Sequence, residues 1–193
     1  MGRRIILTSY GLTSSVGRKL IFKALKDDDL SDEKIFLFHE LHYSLEEILR
    51  NVCVSMGFKP ENIILSGEQS SNTSIADIDF LYCTEGNTYE IMSLLRERGL
   101  DKVFVEAFRN GATYIGASAG AMIAGDSIEE ALYCDKNFVG VTDFRGLSLF
   151  EGTVLPHYTK TEAKRYIKNS LGIKKKYNQI LSVANDKMLI LEV

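Results

Sequence analysis

The chain has 193 residues, the length of a single domain, and enough to bury a core without disulfide or metal staples. Hydrophobic residues make up 45% and charged residues 25%, which excludes collagen-like, low-complexity and disordered classes. Lysine and arginine number 23 against 26 aspartates and glutamates, a net charge of −3. That balance removes the bulk electrostatic drive towards nucleic acid or an anionic membrane surface. The one basic run, Lys174-Lys175-Lys176, reads as a solvated face.

Cys53, Cys83 and Cys134 are odd in number and form no C-x-x-C. Neither a disulfide framework nor a zinc ribbon is expected, and a reducing cytoplasm fits best. Only four apolar-leaning residues separate Arg4 from Ser9. A signal peptide needs about 7–15 apolar residues and a spanning helix about 20, so neither is expected.

Short apolar runs alternate with amphipathic segments, the pattern of a sheet covered by helices. Ile5-Ile6-Leu7 reads as a first buried strand, and Val16, Leu20, Ala24 and Leu25 as a helix stripe. Ile35-Phe36-Leu37-Phe38 is the second strand. Ser44 and Glu47 have capping-box spacing, and the helix they open carries Leu45, Ile48, Leu49, Val52 and Met56, with Gly57 to end it. Ile63-Ile64-Leu65 and Ile78-Asp79-Phe80-Leu81-Tyr82 are further strands. Asn87 with Glu90 opens a helix to Gly99, residues 101–110 form another that Gly111 caps, and Thr113-Tyr114-Ile115 is the next strand. Residues 126–158 read as irregular loops and a hairpin. A helix near residues 161–169 and strands at 180–183 and 188–191 complete the chain.

The most informative segment is Tyr114-Ile115-Gly116-Ala117-Ser118-Ala119-Gly120-Ala121. It places G-x-S-x-G between a strand and a small-residue helix. A serine on such a turn sits in tight backbone with its hydroxyl raised above the sheet, and only small neighbours fit. The Ala119 amide, at the helix start, points towards any oxyanion formed there. A serine nucleophile needs a base. His39 and His42 do not have H-E-x-x-H spacing and read as surface polar residues. His157, in Leu155-Pro156-His157-Tyr158, remains as the base. A carboxylate should fix its tautomer; Asp126, Glu129, Glu130, Asp135, Asp143 and Asp186 are all available, and spacing does not choose among them. A second oxyanion donor fits Cys83-Thr84-Glu85-Gly86-Asn87-Thr88, which follows a strand and opens a helix, so the amides around Gly86 face the ligand-binding edge of the sheet. No G-x-G-x-x-G is present, so a dinucleotide site is not expected.

With these anchors (the strand–loop ending in Asn87-Thr88, the Gly116 to Gly120 elbow, and Pro156-His157-Tyr158) the sequence resembles the peptidase E family, the aspartyl dipeptidase group of serine peptidases that includes cyanophycinase. The resemblance implies a three-layer α/β/α, flavodoxin-like, mostly parallel sheet related to class I glutamine amidotransferases, formed by residues 1–193 as one peptidase domain. It implies Ser118 as nucleophile, His157 as base, and the amides of Gly86 and Ala119 as oxyanion donors. For the acid it offers Asp135, in the loop before the histidine, or the turn between the last two strands, at Asn185 or Asp186; Asp135 is the expected member and Asp186 its rival. It implies small peptide substrates, dipeptides with N-terminal aspartate among them, and no cofactor. Thr84-Glu85-Gly86 replaces that family's glycine run, Arg165 is the nearest match to its substrate-binding arginine, and the chain stops short of its usual C-terminal strands. Two other readings compete: a catalytically inactive binding module of the same fold, and an esterase or amidase of the α/β-hydrolase type.

Overall fold

The five apolar runs read as strands in the first 117 residues all contribute strands, and they are continuous because both faces of the sheet are covered. The computed structural model describes residues 3–39, 43–67, 77–159 and 179–193. Strand β1 spans Arg4–Thr8, β2 Ile35–Phe38, β3 Ile63–Leu65, β4 Phe80–Cys83 and β5 Thr113–Ala117. Three more follow: β6 at Thr153–Leu155, β7 at Ile180–Ser182 and β8 at Met188–Glu192. The main sheet has the order β3-β2-β4-β5-β1-β8. Its first five members are parallel, and β8 lies antiparallel on β1 with Leu7 opposite Leu189. The run β3-β2-β4-β5 fills the first four places of a flavodoxin-like sheet, and β1 takes the fifth.

Helices close both faces. Helix α1 (Ser15–Leu25) and α2 (Tyr43–Met56) cover one, where Ile21, Leu25, Leu49, Val52 and Cys53 pack on Ile6, Leu37 and Tyr82. Helices α3 (Thr88–Glu97), α4 (Leu100–Arg109) and α5 (Ala119–Ile123) cover the other, where Tyr89, Leu95, Phe104, Phe108 and Met122 pack on Leu7, Phe36 and Leu81. The α/β/α layering anticipated from the resemblance is therefore present. No helix among the described residues is long and apolar enough to cross a membrane.

Several local expectations change. Helix α1 buries Gly17, Ile21 and Leu25 while Val16 is exposed, because Gly17 approaches so closely that a Cβ there would run into the Tyr10 and Gly11 carbonyls. On α2, Ile48 is exposed and Cys53 is buried instead. His39 is buried, not a surface residue, with its ring 3.5 Å from the Glu46 carboxylate. The expected hairpin is replaced by a two-stranded parallel sheet, β6 on β7, paired across a long stretch of chain. Phe138 and Val139 are exposed loop residues, whereas Leu147, Leu149 and Phe150 are buried. The His42 reading, the side chain of Ser44, the lysine run, the helix near residues 161–169 and Arg165 lie outside the described residues.

Candidate active site

The segments that follow β1, β4, β5, β6 and β7 carry the residues of the site, and Ser118 is the one that follows β5. Strand β5 ends at Ala117 and α5 starts at Ala119, so the serine alone makes the turn, at φ 49 and ψ −109. A side chain at positive φ costs about 1–3 kcal/mol and persists only where neighbours hold it. Here the Ser118 amide donates to the Thr8 carbonyl (2.9 Å), and its own carbonyl accepts from the Ala121 and Met122 amides. The two glycines of the motif are required by sterics. A Cβ on Gly116 would come within 2.5 Å of the Gly120 carbonyl oxygen, and one on Gly120 would collide with the Cys83 carbonyl. The Tyr114 hydroxyl also donates to the Gly120 carbonyl at 2.6 Å, locking the turn from below.

His157 follows β6 and the buried Pro156, and it too adopts positive φ, 55°. Its Nε2 lies 3.0 Å from Ser118 Oγ. Its Nδ1 lies 2.8 Å from Asn185 Oδ1, in the turn between β7 and β8. With the amide oxygen accepting, Nδ1 carries the proton and Nε2 turns its lone pair to the serine hydroxyl. The His157 amide donates to Ser9 Oγ, and the Tyr158 amide to the Val183 carbonyl, both at 2.9 Å. The Tyr10 ring stands edge-on to the imidazole, with centroids 5.1 Å apart.

The structure places the two aspartates named by the resemblance away from the His157 Nδ1 position, which Asn185 takes. Asp135 accepts from the Thr88 amide (2.9 Å) and the Thr88 hydroxyl (2.6 Å). It sits at the start of α3, where unpaired amides and the helix dipole favour a carboxylate. Asn87 caps the same helix, accepting from the amides of Tyr89 and Glu90, and ties the loop to the Lys136 carbonyl. Asp186 points to solvent, its side chain 77% exposed beside Lys187. Ser118, His157 and Asn185 are the three groups brought into line.

Gly86 follows β4, whose Cys83 is register partner of Gly116 on β5, so the Gly86 and Ala119 loops leave adjacent strand ends. Glu85 anchors the first of these. Its carboxylate accepts from the Gly11 amide at 2.7 Å and from the Thr13 hydroxyl. Beneath it the Tyr82 hydroxyl accepts from the Leu12 amide (3.0 Å). Burial, reinforced by the nearby Glu85 charge, pushes the Tyr82 phenol well above its ordinary value, so it stays neutral. Two contributors, Ser9 and Tyr10, carry no motif and were missed in the sequence; only their position after a first buried strand could have drawn attention to them.

A serine on a strained strand-to-helix turn, hydrogen-bonded to a histidine at the carboxyl edge of a parallel sheet, is the arrangement of nucleophile-elbow hydrolases. Within that class the comparisons are specific. The sequence profile of Peptidase family S51 matches residues 40–192. An uncharacterized peptidase of Listeria monocytogenes, Lmo0363, is 29% identical over 141 residues, 71% of this chain and 69% of that protein. Peptidase E of Citrobacter koseri is 38% identical over 86 residues, 45% of this chain and 37% of that protein. Among solved structures, a candidate peptidase E from Listeria monocytogenes superposes over all of both chains with a TM-score of 0.68 at 23% identity. A peptidase from an acI-B1 actinobacterium does so over all of this chain and 84% of that one, with a TM-score of 0.67 at 16% identity. The chain belongs to peptidase family S51, a family of serine-type peptidases.

Proposed function

We propose that this peptidase cleaves small peptides by acyl transfer, with Ser118 as nucleophile, His157 as general base and Asn185 orienting the imidazole. The observation that carries the reading is the 3.0 Å contact between Ser118 Oγ and His157 Nε2. His157 takes the hydroxyl proton as Ser118 attacks the peptide carbonyl. The amides of Gly86 and Ala119 receive the developing oxyanion, and losing one such donor typically costs about 10²–10³ in turnover. The imidazolium returns its proton to the leaving amine, and water then hydrolyses the acyl-serine by the same route in reverse. The relatives named peptidase E support peptides as substrates, and an N-terminal aspartate is the first residue to test.

Replacing Ser118 with alanine is expected to abolish both fluorophosphonate labelling and hydrolysis in a dipeptide library varied at its first residue. Release of amine at the parental rate would end the nucleophile assignment. One feature favours a second reading, a silent binding module: Asn185 offers the imidazolium a dipole where a carboxylate would offer a charge. Stoichiometric labelling of the parent protein is expected, and a protein that stays unlabelled would establish the silent module instead. The α/β-hydrolase reading is disfavoured, because the group on Nδ1 follows the histidine in the chain instead of preceding it.

A further inference from the structure

We infer that Ser9 is a positioning residue of this site, and that the dipeptide Thr8-Ser9 sets the distance between nucleophile and base. The inference deepens the reading of Ser118 and His157 given above and rests on it. Ser9 is the first residue beyond β1 and is 1% exposed. Its hydroxyl works in both directions. It accepts from the His157 amide and donates to the Val183 carbonyl, each at 2.9 Å. The immediately preceding carbonyl, that of Thr8, accepts from the Ser118 amide. Two consecutive residues of one strand end therefore hold the backbones of the two reacting side chains.

The imidazole must satisfy two partners at once, Ser118 Oγ at 3.0 Å and Asn185 Oδ1 at 2.8 Å. Those partners belong to different sheets, the serine following β5 and the asparagine following β7. The Val183 amide donates to the Leu155 carbonyl, and the Tyr158 amide to the Val183 carbonyl, which ties the histidine loop to the asparagine turn. Ser9 ties that pair in turn to β1, and so to the elbow. Without the hydroxyl the part-buried His157 amide loses the bond to Ser9, and the Val183 carbonyl keeps only the Tyr158 amide; His157, already at positive φ, is released from the register that aims its ring.

The test uses the intact protein, a fluorophosphonate probe and selectively ¹⁵N-histidine-labelled samples. Ser9→Ala is expected to lower the labelling rate by about 10- to 100-fold, the scale of a catalytic group displaced by a fraction of an ångström to 1 Å. Its imidazole ¹⁵N signals should move away from the Nδ1–H tautomer as the Asn185 bond weakens. Ser9→Thr, which keeps the hydroxyl, should recover most of the rate. The Ser9→Ala and Asn185→Ala penalties should fall short of additive, since both act through one ring. Ser9→Cys keeps the shape with weak hydrogen bonding and reports the same loss if Ser9→Ala fails to fold. Parental labelling in Ser9→Ala, or penalties that simply add, would overturn the inference. Should the parent protein prove unreactive, the nucleophile reading fails; the histidine spectrum still decides on Ser9, and an unchanged tautomer signal in the variant counts against it.

Discussion

At the level of single residues, the informative departure is Asn185. A carboxylate on Nδ1 would both fix the tautomer and stabilise the imidazolium; an amide oxygen does the first without the charge. Asn185→Asp therefore has a predicted sign. An anion beside the ring stabilises the imidazolium that forms as Ser118 gives up its proton, so kcat should increase by about 10-fold or more, the converse of the loss seen when triads lose their carboxylate. An unchanged rate would show that Asn185 does not act on the ring. Ser118 and His157 were legible because a local motif and a near absence of other histidines singled them out. Ser9 and Asn185 were harder to find, since their roles depend on partners 148 and 28 positions away. The carboxylate of Asp135 is visible in the sequence, but nothing local says that Thr88, 47 positions earlier, will claim it.

At the level of elements, the elbow is steric before it is chemical. Gly120→Ala would push a methyl into the Cys83 carbonyl, and overpacking of this kind typically costs about 1–3 kcal/mol. We predict a fall in Tm of several degrees together with lost labelling, read by thermal denaturation and fluorophosphonate assay; an unshifted Tm would mean that the turn can relax. Helix α3 offers a contrasting test. Asp135→Ala removes the carboxylate from the Thr88 amide and hydroxyl and should destabilise by about 0.5–2 kcal/mol, the scale of a lost helix cap. If Asp135 serves α3, stability falls while the pH profile keeps its shape; a reshaped profile would return it to catalysis. Strand runs and the Asn87 cap could be read in advance because each is a local preference. The buried face of α1 could not, because Gly17 packs on a loop whose path is set by tertiary contact.

At the level of the whole molecule, the two faces of one sheet divide the core, and the cysteines report on it. Cys53 and Cys83 are fully buried, with burial pushing the Cys53 thiol up to about 12, while Cys134 is exposed. An aromatic disulfide reagent should titrate one thiol in the native protein and three after guanidinium; three fast-reacting thiols in the native state would contradict this core. The layering was foreseeable from alternating apolar runs, but the pairing of β6 with β7 was not, because two three-residue strands this far apart leave no periodic signature. That small sheet has a consequence for how the molecule fails under stress. It bears the histidine on one strand's exit and the asparagine on the other's, yet β7 is only half buried and pairs solely with β6 among the described strands. Segments with few buried contacts open before the global transition. Mild denaturant should thus silence the enzyme while its ellipticity is still that of the folded state, and dilution should restore it without refolding of the main sheet.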